Sequence, residues 1–405
     1  MNIAEMKQYL SSHEYPSYER DAYDKFLKSE RFNYPIKSIH ITGTNGKGSV
    51  ANYLYNIYLK AGYKVGLFNS PYLNDVNEMI KINGRNITDE EYLDIFNVYV
   101  KKFDKFGLSA FEIETFIAFT YFLKQEVDVS IIEVGMGGYI DATNVINPVL
   151  SIITSVSLEH TSYLGRSVSE IAENKAGIIK DEIPALVGKL DESAMYAIRE
   201  HCKEYDSPLY IVDDYHHERV EGDDVVFDYL PFIDTKLHTK SLYQCKNASI
   251  AIEATKIIKD VIPCGENDVR EGLYSTPLDC RFEYARDNLI LDGAHNPEAM
   301  EALAETLEKT IDRPIHVLFA VFRDKNVDSM LNILGKVVND VTLTTFDHKR
   351  ARTEDEYFLY LGDYTFKEDF KSALKEMMEL YKDDVILVTG SLAFTGVVKK
   401  YLNEI

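Results

Sequence analysis

The stretch Ile-Thr-Gly-Thr-Asn-Gly-Lys-Gly-Ser-Val, residues 41–50, follows an apolar run typical of a strand and leads into a run typical of a helix, residues 50–61. Its three glycines allow the backbone to turn tightly and to bring its N–H groups close to a ligand. Lys47 adds a cation suited to the outer phosphates of a nucleotide, and Ser49 adds a hydroxyl suited to Mg²⁺. The stretch is therefore predicted to be a phosphate-binding loop that opens a helix.

This loop departs from the standard phosphate-loop pattern. That pattern requires a glycine at position 41, where this chain has Ile. An ordinary glycine-rich turn is the alternative interpretation. The order of a strand, three glycines, Lys and Ser favours the binding loop.

Composition narrows the class of protein. A chain of 405 residues is predicted to form two domains, and 45% hydrophobic with 27% charged residues is ordinary for a soluble protein. The net charge of −22 argues against nucleic-acid and membrane partners, because both require a basic face. Four scattered cysteines without zinc spacing, no apolar run long enough for a membrane span and no secretory signal predict a cytoplasmic protein.

Apolar strand-like runs alternate with amphipathic helical runs, which predicts an α/β fold with mostly parallel sheets covered by helices. A second such series begins near Asn288, so we expect a larger domain, 1–284, and a smaller Rossmann-like α/β domain, 285–405. Residues 205–240 are predicted to form an irregular or antiparallel appendage. The predicted strands are 38–42, 64–68, 129–134, 150–155, 209–212, 224–229, 289–292, 315–320, 340–344 and 385–389. The predicted helices are 49–61, 88–103, 114–125, 168–178, 245–258, 297–310, 327–337 and 367–380.

Three ionisable residues of the first series are candidates for a functional site. Glu133 ends the run 129–134, and an acid beside a strand that carries a phosphate loop is a common Mg²⁺ ligand. A strand-terminal acid in solvent is the alternative. The roles of His160 and Lys175 are ambiguous from the sequence alone. A lone histidine is more often a structural residue than a ligand, and most helix lysines are solvated.

The segment Asp-Gly-Ala-His-Asn-Pro, residues 292–297, places Asp292, His295 and Asn296 in a strand-to-helix turn. Pro297 suits the first position of the following helix. A capping turn and a functional loop are both compatible with this pattern.

Together these segments resemble a known family. The chain is similar to folylpolyglutamate synthases and the related dihydrofolate synthases of the Mur ligase superfamily. The motifs that carry the resemblance are Gly-Thr-Asn-Gly-Lys-Gly-Ser (43–49), Ser-Pro-Tyr-Leu (70–73), Phe-Glu (111–112), Glu-Val-Gly-Met-Gly-Gly (133–138), Asp-Ala-Thr-Asn-Val (141–145), the segment 164–180 and Asp-Gly-Ala-His-Asn-Pro (292–297).

The resemblance implies an ATP-dependent amide ligase. Residues 1–284 would form the P-loop ATP-binding domain, of the Mur ligase central type, and residues 285–405 the glutamate-ligase domain. The expected reaction adds L-glutamate to the γ-carboxylate of folate through an acyl phosphate, and dihydropteroate is a second candidate substrate. ATP and two Mg²⁺ ions are the implied cofactors, and a monomer is the implied state.

The resemblance also assigns roles to individual residues. Lys47, Lys175 and His295 would be catalytic, with Lys175 carried as a carbamate and His295 approaching the reaction centre. The implied nucleotide-binding residues are Gly43, Thr44, Asn45, Gly46, Lys47, Gly48, Ser49, Asn247, Arg281 and Asp292. The implied metal ligands are Ser49, Ser70, Glu133 and His160. The implied substrate-binding residues are Tyr72, Phe111, Glu112, Gly137, Gly138 and Tyr139.

Two departures from the family pattern affect the expected substrate. Tyr72 replaces the usual histidine and Tyr139 the usual arginine, both near the expected pterin site. A paralogue that acts on a non-folate carboxylate is therefore one alternative. A P-loop GTPase switch is another, although residues 174–177 have Gly where its guanine-reading motif requires Asp. A small-molecule kinase, which would stop at phosphoryl transfer, is the third.

Overall fold

A computed structural model describes residues 1–13 and 20–405. This part of the chain divides into two compact units. The first contains residues 1–215 and 246–276, and the second contains residues 216–245 and 277–405. None of the helices in the described ranges is long and apolar enough to cross a membrane.

The first unit is built on a single sheet. Its strands are β1 (Lys37–Thr42), β2 (Val65–Phe68), β3 (Ile80–Ile82), β4 (Arg85–Asn86), β5 (Val129–Glu133), β6 (Leu150–Ile153), β7 (Ala185–Val187) and β8 (Leu209–Ile211). Its helices are α1 (Ile3–Ser12), α2 (Arg20–Ser29), α3 (Lys47–Lys60), α4 (Asp89–Phe106), α5 (Ala110–Lys124), α6 (Thr161–Leu164), α7 (Val168–Ala176), α8 (Glu192–Glu204), α9 (Gln244–Ile257) and α10 (Glu266–Tyr274), with a 3₁₀ turn at Val76–Met79.

The strand order of this sheet is β4-β3-β2-β5-β1-β6-β7-β8. Strands β2, β5, β1, β6, β7 and β8 are parallel, whereas β3 and β4 add antiparallel pairs at one edge. The central strands are buried along almost their whole length, as expected for parallel strands covered by helices on both faces. Ile41 of β1 lies opposite Glu133 of β5, so the loop after β1 and the end of β5 meet at one edge.

The second unit contains two sheets. The strands β9 (His216–Glu221), β10 (Asp224–Tyr229) and β11 (Phe232–Leu237) form an antiparallel sheet. The strands β12 (Arg281–Arg286), β13 (Leu289–Asp292), β14 (Ile315–Phe319), β15 (Asp340–Thr345), β16 (Thr365–Asp369) and β17 (Val385–Thr389) form the other. That sheet has the order β12-β13-β17-β14-β15-β16 and is parallel except for β12. The helices are α11 (Pro297–Thr310), α12 (Val327–Leu334), α13 (Phe370–Leu380) and α14 (Leu392–Leu402), with a 3₁₀ turn at Glu354–Tyr360.

The predicted α/β class with mostly parallel sheets is confirmed. Several details differ from the sequence-based expectation. Strand β8 pairs in parallel with β7 and extends the first sheet, so only β9–β11 form the antiparallel appendage. The helix expected from residue 367 begins at Phe370, because the preceding residues pair with β15 as β16. The expected boundary at residue 285 falls inside β12, whose pairing with β13 places residues from 277 onward in the second unit.

A polar cluster fixes the amino-terminal edge of the second unit's parallel sheet. The two ring nitrogens of His316 in β14 lie 2.6 Å from Asp340 Oδ2 and 3.1 Å from Asp384 Oδ2. The ring of Tyr381 stacks on the imidazole with centroids 3.4 Å apart. The starts of β14, β15 and β17 are thereby joined through one side chain.

Replacing His316 by Gln should destabilise the second unit by about 1–3 kcal/mol, because the two carboxylates lose the ring that separates them. The imidazole side chain of His316 is 9% exposed, whereas that of His238, which faces Asp224 in the same unit, is 62% exposed. His238→Gln is the matched control and should leave stability nearly unchanged. Thermal unfolding together with amide hydrogen exchange in β14 measures the change in stability of each variant. Equal effects of the two substitutions would contradict the role of His316.

Candidate active site

The loop after β1 is held in place by the end of β6. Thr44 N–H donates to Ser155 O at 2.9 Å, and Asn45 N–H donates to Ser155 Oγ at 2.8 Å. Lys47 Nζ folds back over the loop and donates to Gly43 O at 3.0 Å. The loop therefore precedes α3 with its lysine at the first helical position, the arrangement in which backbone N–H groups bind an anion.

Two predicted ligand-binding side chains lie against this loop. Gly46 has a φ of 85°, and a Cβ on this residue would be 2.4 Å from Asn247 Oδ1. A Cβ on Gly48 would be 3.6 Å and 3.8 Å from the two carboxylate oxygens of Glu133. The structure thus brings Asn247 of α9 and Glu133 of β5 together at residues 46–48.

The residues after β2 complete this edge of the sheet. Ser70 N–H donates to Glu133 Oε2 at 3.1 Å, which places the predicted Ser70 beside the acid. Asn69, which the sequence-based reasoning missed, has a buried Nδ2 atom without a hydrogen-bond partner. That atom would lie 3.2 Å from a Cβ on Gly48. The only available signal was its position directly before the Ser-Pro-Tyr-Leu motif.

Lys175 of α7 is buried, with 3% of the residue exposed. Burial, and to a smaller extent the nearby charge of Lys47, lower the pKa of its amine to about 7, although the carboxylates of Glu159 and Asp141 act in the opposite direction. At neutral pH a large fraction of this amine is therefore uncharged. An uncharged amine is a nucleophile, unlike the ammonium of an ordinary surface lysine.

Residues 135–145, here called the β5 turn, pack directly against the end of α7. A Cβ on Gly138 would be 2.7 Å from the carbonyl oxygen of Lys175, and a Cβ on Gly137 would be 2.3 Å from Asn174 Oδ1. Within the turn, the buried carboxylate of Asp141 accepts from Met136 N–H at 3.0 Å. The two predicted glycines therefore allow the close approach that brings the turn to Lys175.

His160 lies on an exposed part of the loop between β6 and α6. Its φ of 50° is in the left-handed region, which is uncommon for a residue other than glycine and is frequent at ligand sites. Its role as a metal ligand stays a prediction.

The predicted substrate-binding residues fall into two groups. Tyr72 and Tyr139 are 39% and 64% exposed, so their rings are available to a ligand. Phe111 instead covers the backbone of the β5 turn, because a Cβ on Gly135 would be 2.5 Å from its ring. Glu112 is buried at the start of α5, where its Oε2 accepts from both the N–H and the hydroxyl of Ser109 at 2.7 Å. The structure gives Glu112 a helix-capping role, and a substrate role stays a prediction.

The second unit carries the remaining predicted residues. Arg281 of β12 lies opposite Asp292 of β13, and the buried Asp292 accepts from the Tyr243 hydroxyl at 2.6 Å. Burial raises the pKa of Asp292. His295 Nδ1–H donates to Gly293 O at 2.9 Å. The nucleotide role of Arg281 and Asp292 and the catalytic role of His295 stay predictions.

The turn at residues 292–297 also caps a helix. The Asn296 side chain accepts from Ala299 N–H at 2.9 Å, and Pro297 occupies the first turn of α11. The capping interpretation of this segment is confirmed, and a functional role is compatible with it.

Two family models match the chain. The Mur ligase middle domain matches residues 41–228, and the Mur ligase, glutamate ligase domain matches residues 280–392. Together with a phosphate loop beside a buried acid, these matches define an ATP-dependent ligase of the Mur type.

Comparisons with individual proteins narrow this class. The chain is 32% identical over 390 residues to the dihydrofolate synthase/folylpolyglutamate synthase of Bacillus subtilis strain 168, covering 91% of this chain and 90% of that protein. The chain belongs to the folylpolyglutamate synthase/dihydrofolate synthase family, and the resemblance inferred from its motifs is confirmed.

Solved structures agree with this assignment. The folylpolyglutamate synthase of Mycobacterium tuberculosis complexed with ADP superposes with a TM-score of 0.91 at 26% identity, covering 99% of this chain and 98% of that chain. A folylpolyglutamate synthase complex with AMPPCP and folate superposes with a TM-score of 0.88 at 28% identity, covering 99% of this chain and 100% of that chain.

Replacing Gly46 by Ala should weaken nucleotide binding at least about tenfold, because the new methyl group would displace Asn247 and shift the loop. Gly62 has the same φ of 85°, but a Cβ there would meet nothing within 4 Å. Gly62→Ala is therefore a matched control that should lose a similar amount of stability, about 1 kcal/mol, and bind nucleotide normally. Calorimetric titration with ADP and thermal unfolding measure the two effects. Normal ADP affinity in Gly46→Ala would contradict the loop assignment.

Proposed function

We propose that this chain joins L-glutamate to the γ-carboxylate of a folate, at the expense of ATP, and that dihydropteroate is a second acceptor. The observation that carries the proposal is the meeting of Asn247 and Glu133 at the phosphate loop, in a chain whose two parts match Mur ligase domains. Relatives of similar fold are described as complexes with ADP, with AMPPCP and with folate, which supports ATP and folate as substrates.

The reaction requires activation of the carboxylate. A γ-carboxylate oxygen attacks the γ-phosphorus of ATP, ADP leaves, and an acyl phosphate forms. The amine of L-glutamate then attacks the acyl carbon, the tetrahedral intermediate expels phosphate, and the amine proton is lost as the amide forms. Both steps place negative charge on oxygens, which fixed N–H donors stabilise. In this chain the N–H groups of residues 46–49 and the ammonium of Lys47 are the donors placed for the phosphates.

The donors at this edge of the sheet fit Mg²⁺, which prefers oxygen ligands. Glu133 and Ser49 are both buried beside the loop. Residues 1–13 and 20–405 contain no group of three or more His, Cys, Asp or Glu side chains that could hold a metal ion. Substrate phosphates and water would therefore complete the coordination of Mg²⁺. We assign Ser49, Ser70, Glu133 and His160 to two ions. When bound, the ions neutralise phosphate charge and polarise the γ-phosphate.

We further propose that Lys175 is carbamated in the active enzyme. Its amine attacks the carbon of CO₂, forms an N–C bond and releases one proton, which converts a cation into an anionic oxygen ligand. An ammonium buried beside Lys47 would repel Mg²⁺, whereas a carbamate attracts it. The burial of Lys175 supports this proposal, because it keeps the amine uncharged and reactive.

Other parts of the sequence-based assignment have indirect support. The four cysteines are free thiols, which fits a reducing cytoplasm. We propose residues 1–284 as the ATP-binding part and residues 285–405 as the glutamate-ligase part. Arg281 and Asp292 are proposed nucleotide-binding residues, and His295 is a proposed catalytic residue. A monomer is the proposed state.

Phosphate release from ATP tests the proposed function. We expect release that requires both a folate and L-glutamate, and none from the Lys47→Ala variant, which lacks the loop cation. Release with folate alone, together with a stable phosphorylated product, would indicate a kinase. Release from GTP without any acceptor would indicate a nucleotide switch. Inactivity with every folate would favour a ligase for another carboxylate.

The pH dependence of activity tests the Lys175 proposal. Carbamation needs the neutral amine, which grows from about a tenth at pH 6 to about nine tenths at pH 8 for a pKa near 7. Activation by added CO₂ should therefore increase as pH rises through 7. Lys175→Ala should lose activity, and small carboxylic acids should partly restore it by filling the vacated space. A fully active Ala variant would contradict the proposal.

Substrate preference should favour glutamylated folates over dihydropteroate. Tyr72 and Tyr139 remove two cationic or strongly hydrogen-bonding contacts, each worth about 1.5–3 kcal/mol. Dihydropteroate has no glutamate tail to offset that loss, so its kcat/KM should be lower than that of tetrahydrofolate. The variants Tyr72→His and Tyr139→Arg restore the family pattern and should improve dihydropteroate use. Equal kcat/KM values for the two substrates in the unaltered enzyme would contradict this prediction.

A further inference from the structure

The guanidinium of Arg20, the first residue of α2, contacts the β5 turn. Its Nη1 donates to Tyr139 O at 2.8 Å and its Nη2 donates to Asn144 O at 3.0 Å. Its Nε donates to Asp24 Oδ1, one turn along the same helix, at 3.3 Å. The guanidinium thus joins two carbonyl groups that lie five residues apart on the turn.

The other side of the same turn is held by the end of α7. Tyr139 N–H donates to Asn174 O at 2.9 Å, and Asn144 Nδ2 donates to Gly177 O at 2.9 Å. A Cβ on Gly177 would lie 2.5 Å from Tyr139 Cα, so the two segments are in close contact. Hydrogen bonds to Arg20 and to Asn174 therefore hold the backbone of Tyr139 from both sides, although its ring is 64% exposed.

An exposed ring on a fixed backbone is the arrangement that a recognition side chain requires, because little rotational freedom is lost when a ligand binds. Arg20 provides the hydrogen bond on one of these two sides. We propose that Arg20 is a positioning residue that fixes Tyr139 for the ring system of the folate substrate, an inference that rests on the proposed function. Arg20 acts through the turn and makes no contact with ATP in this scheme.

The geometry explains why the residue is an arginine. A planar guanidinium can donate to two carbonyl oxygens and to a carboxylate at the same time, whereas the single ammonium of lysine cannot reproduce this fork. Arg20→Lys keeps the charge and should satisfy one carbonyl only. Arg20→Gln removes the charge as well.

Steady-state kinetics provide the first test. We expect Arg20→Gln to raise KM for tetrahydrofolate about tenfold and Arg20→Lys to raise it about threefold, with KM for ATP changed less than twofold. Asp24→Asn is the matched control, since it removes the ion pair within α2 and leaves both carbonyl contacts in place. Its KM values should equal those of the unaltered enzyme. An unchanged KM for tetrahydrofolate, or a parallel increase for both substrates, would overturn the proposal.

A fluorescence measurement tests, without any substrate, whether Arg20 restrains the backbone at residue 139. The chain contains no tryptophan, so Tyr139→Trp introduces a single indole at the position in question. In that background Arg20→Gln should lower the fluorescence anisotropy of the indole, and Asp24→Asn should leave it unchanged. Equal anisotropy with and without Arg20 would overturn the proposal.

The two tests separate this inference from the proposed function. If no folate supports turnover in the unaltered enzyme, the proposed function fails, whereas the anisotropy still reports whether Arg20 fixes Tyr139. If folate turnover is present and neither Arg20 variant changes KM for tetrahydrofolate, the positioning role alone fails.

Discussion

The burial of Lys175 beside the phosphate loop is the constraint on which the site of the first unit depends. A buried ammonium is costly, and a second cation at Lys47 increases that cost, so the amine is driven towards its uncharged form. We propose that the same burial makes the amine reactive towards CO₂. A carbamate would then remove one of two neighbouring cations and supply an oxygen ligand, which accounts for both the position of the lysine and its isolation from solvent.

The backbone of the β5 turn packs against Lys175 and holds it in this buried position. The parallel sheet brings the ends of β1, β5 and β6 to one edge, where ligands of open α/β sheets commonly bind. The β5 turn then follows Glu133 and packs on the end of α7, with Gly138 against the carbonyl of Lys175. The turn therefore links the edge where Glu133 and Asn247 lie against residues 46–48 to the exposed ring of Tyr139. In the proposed function, recognition of the substrate and binding of ATP share this backbone segment.

Strong local patterns made much of the fold predictable from sequence. The strands 289–292 and 385–389 and the helix 297–310 were predicted to the residue, because continuous apolar runs and the Asn-Pro start are local signals. Short antiparallel strands such as β3 and β4, and β8 at the sheet edge, depend on distant partners and were missed or misassigned. Among the candidate site residues, Glu133 was found from its position at the end of a strand and Asn247 from the family resemblance. Arg20 carries no local signal, and the only signal for Asn69 is its place before the Ser-Pro-Tyr-Leu motif. Cys280 has a φ of 54°, in the left-handed region, and nothing in the sequence indicates this backbone conformation.

We propose that Lys175 is an anionic ligand rather than a buried cation, and direct observation of the carbamate tests this proposal. The enzyme is equilibrated with ¹³C-labelled CO₂ at pH 8 with Mg²⁺ and a non-hydrolysable ATP analogue, and its ¹³C spectrum is compared with that of Lys175→Ala. The account predicts one carbamate carbon resonance that is present in the unaltered enzyme, absent from the variant and reduced at pH 6. A catalytically active enzyme whose spectrum shows no resonance dependent on Lys175 would contradict it.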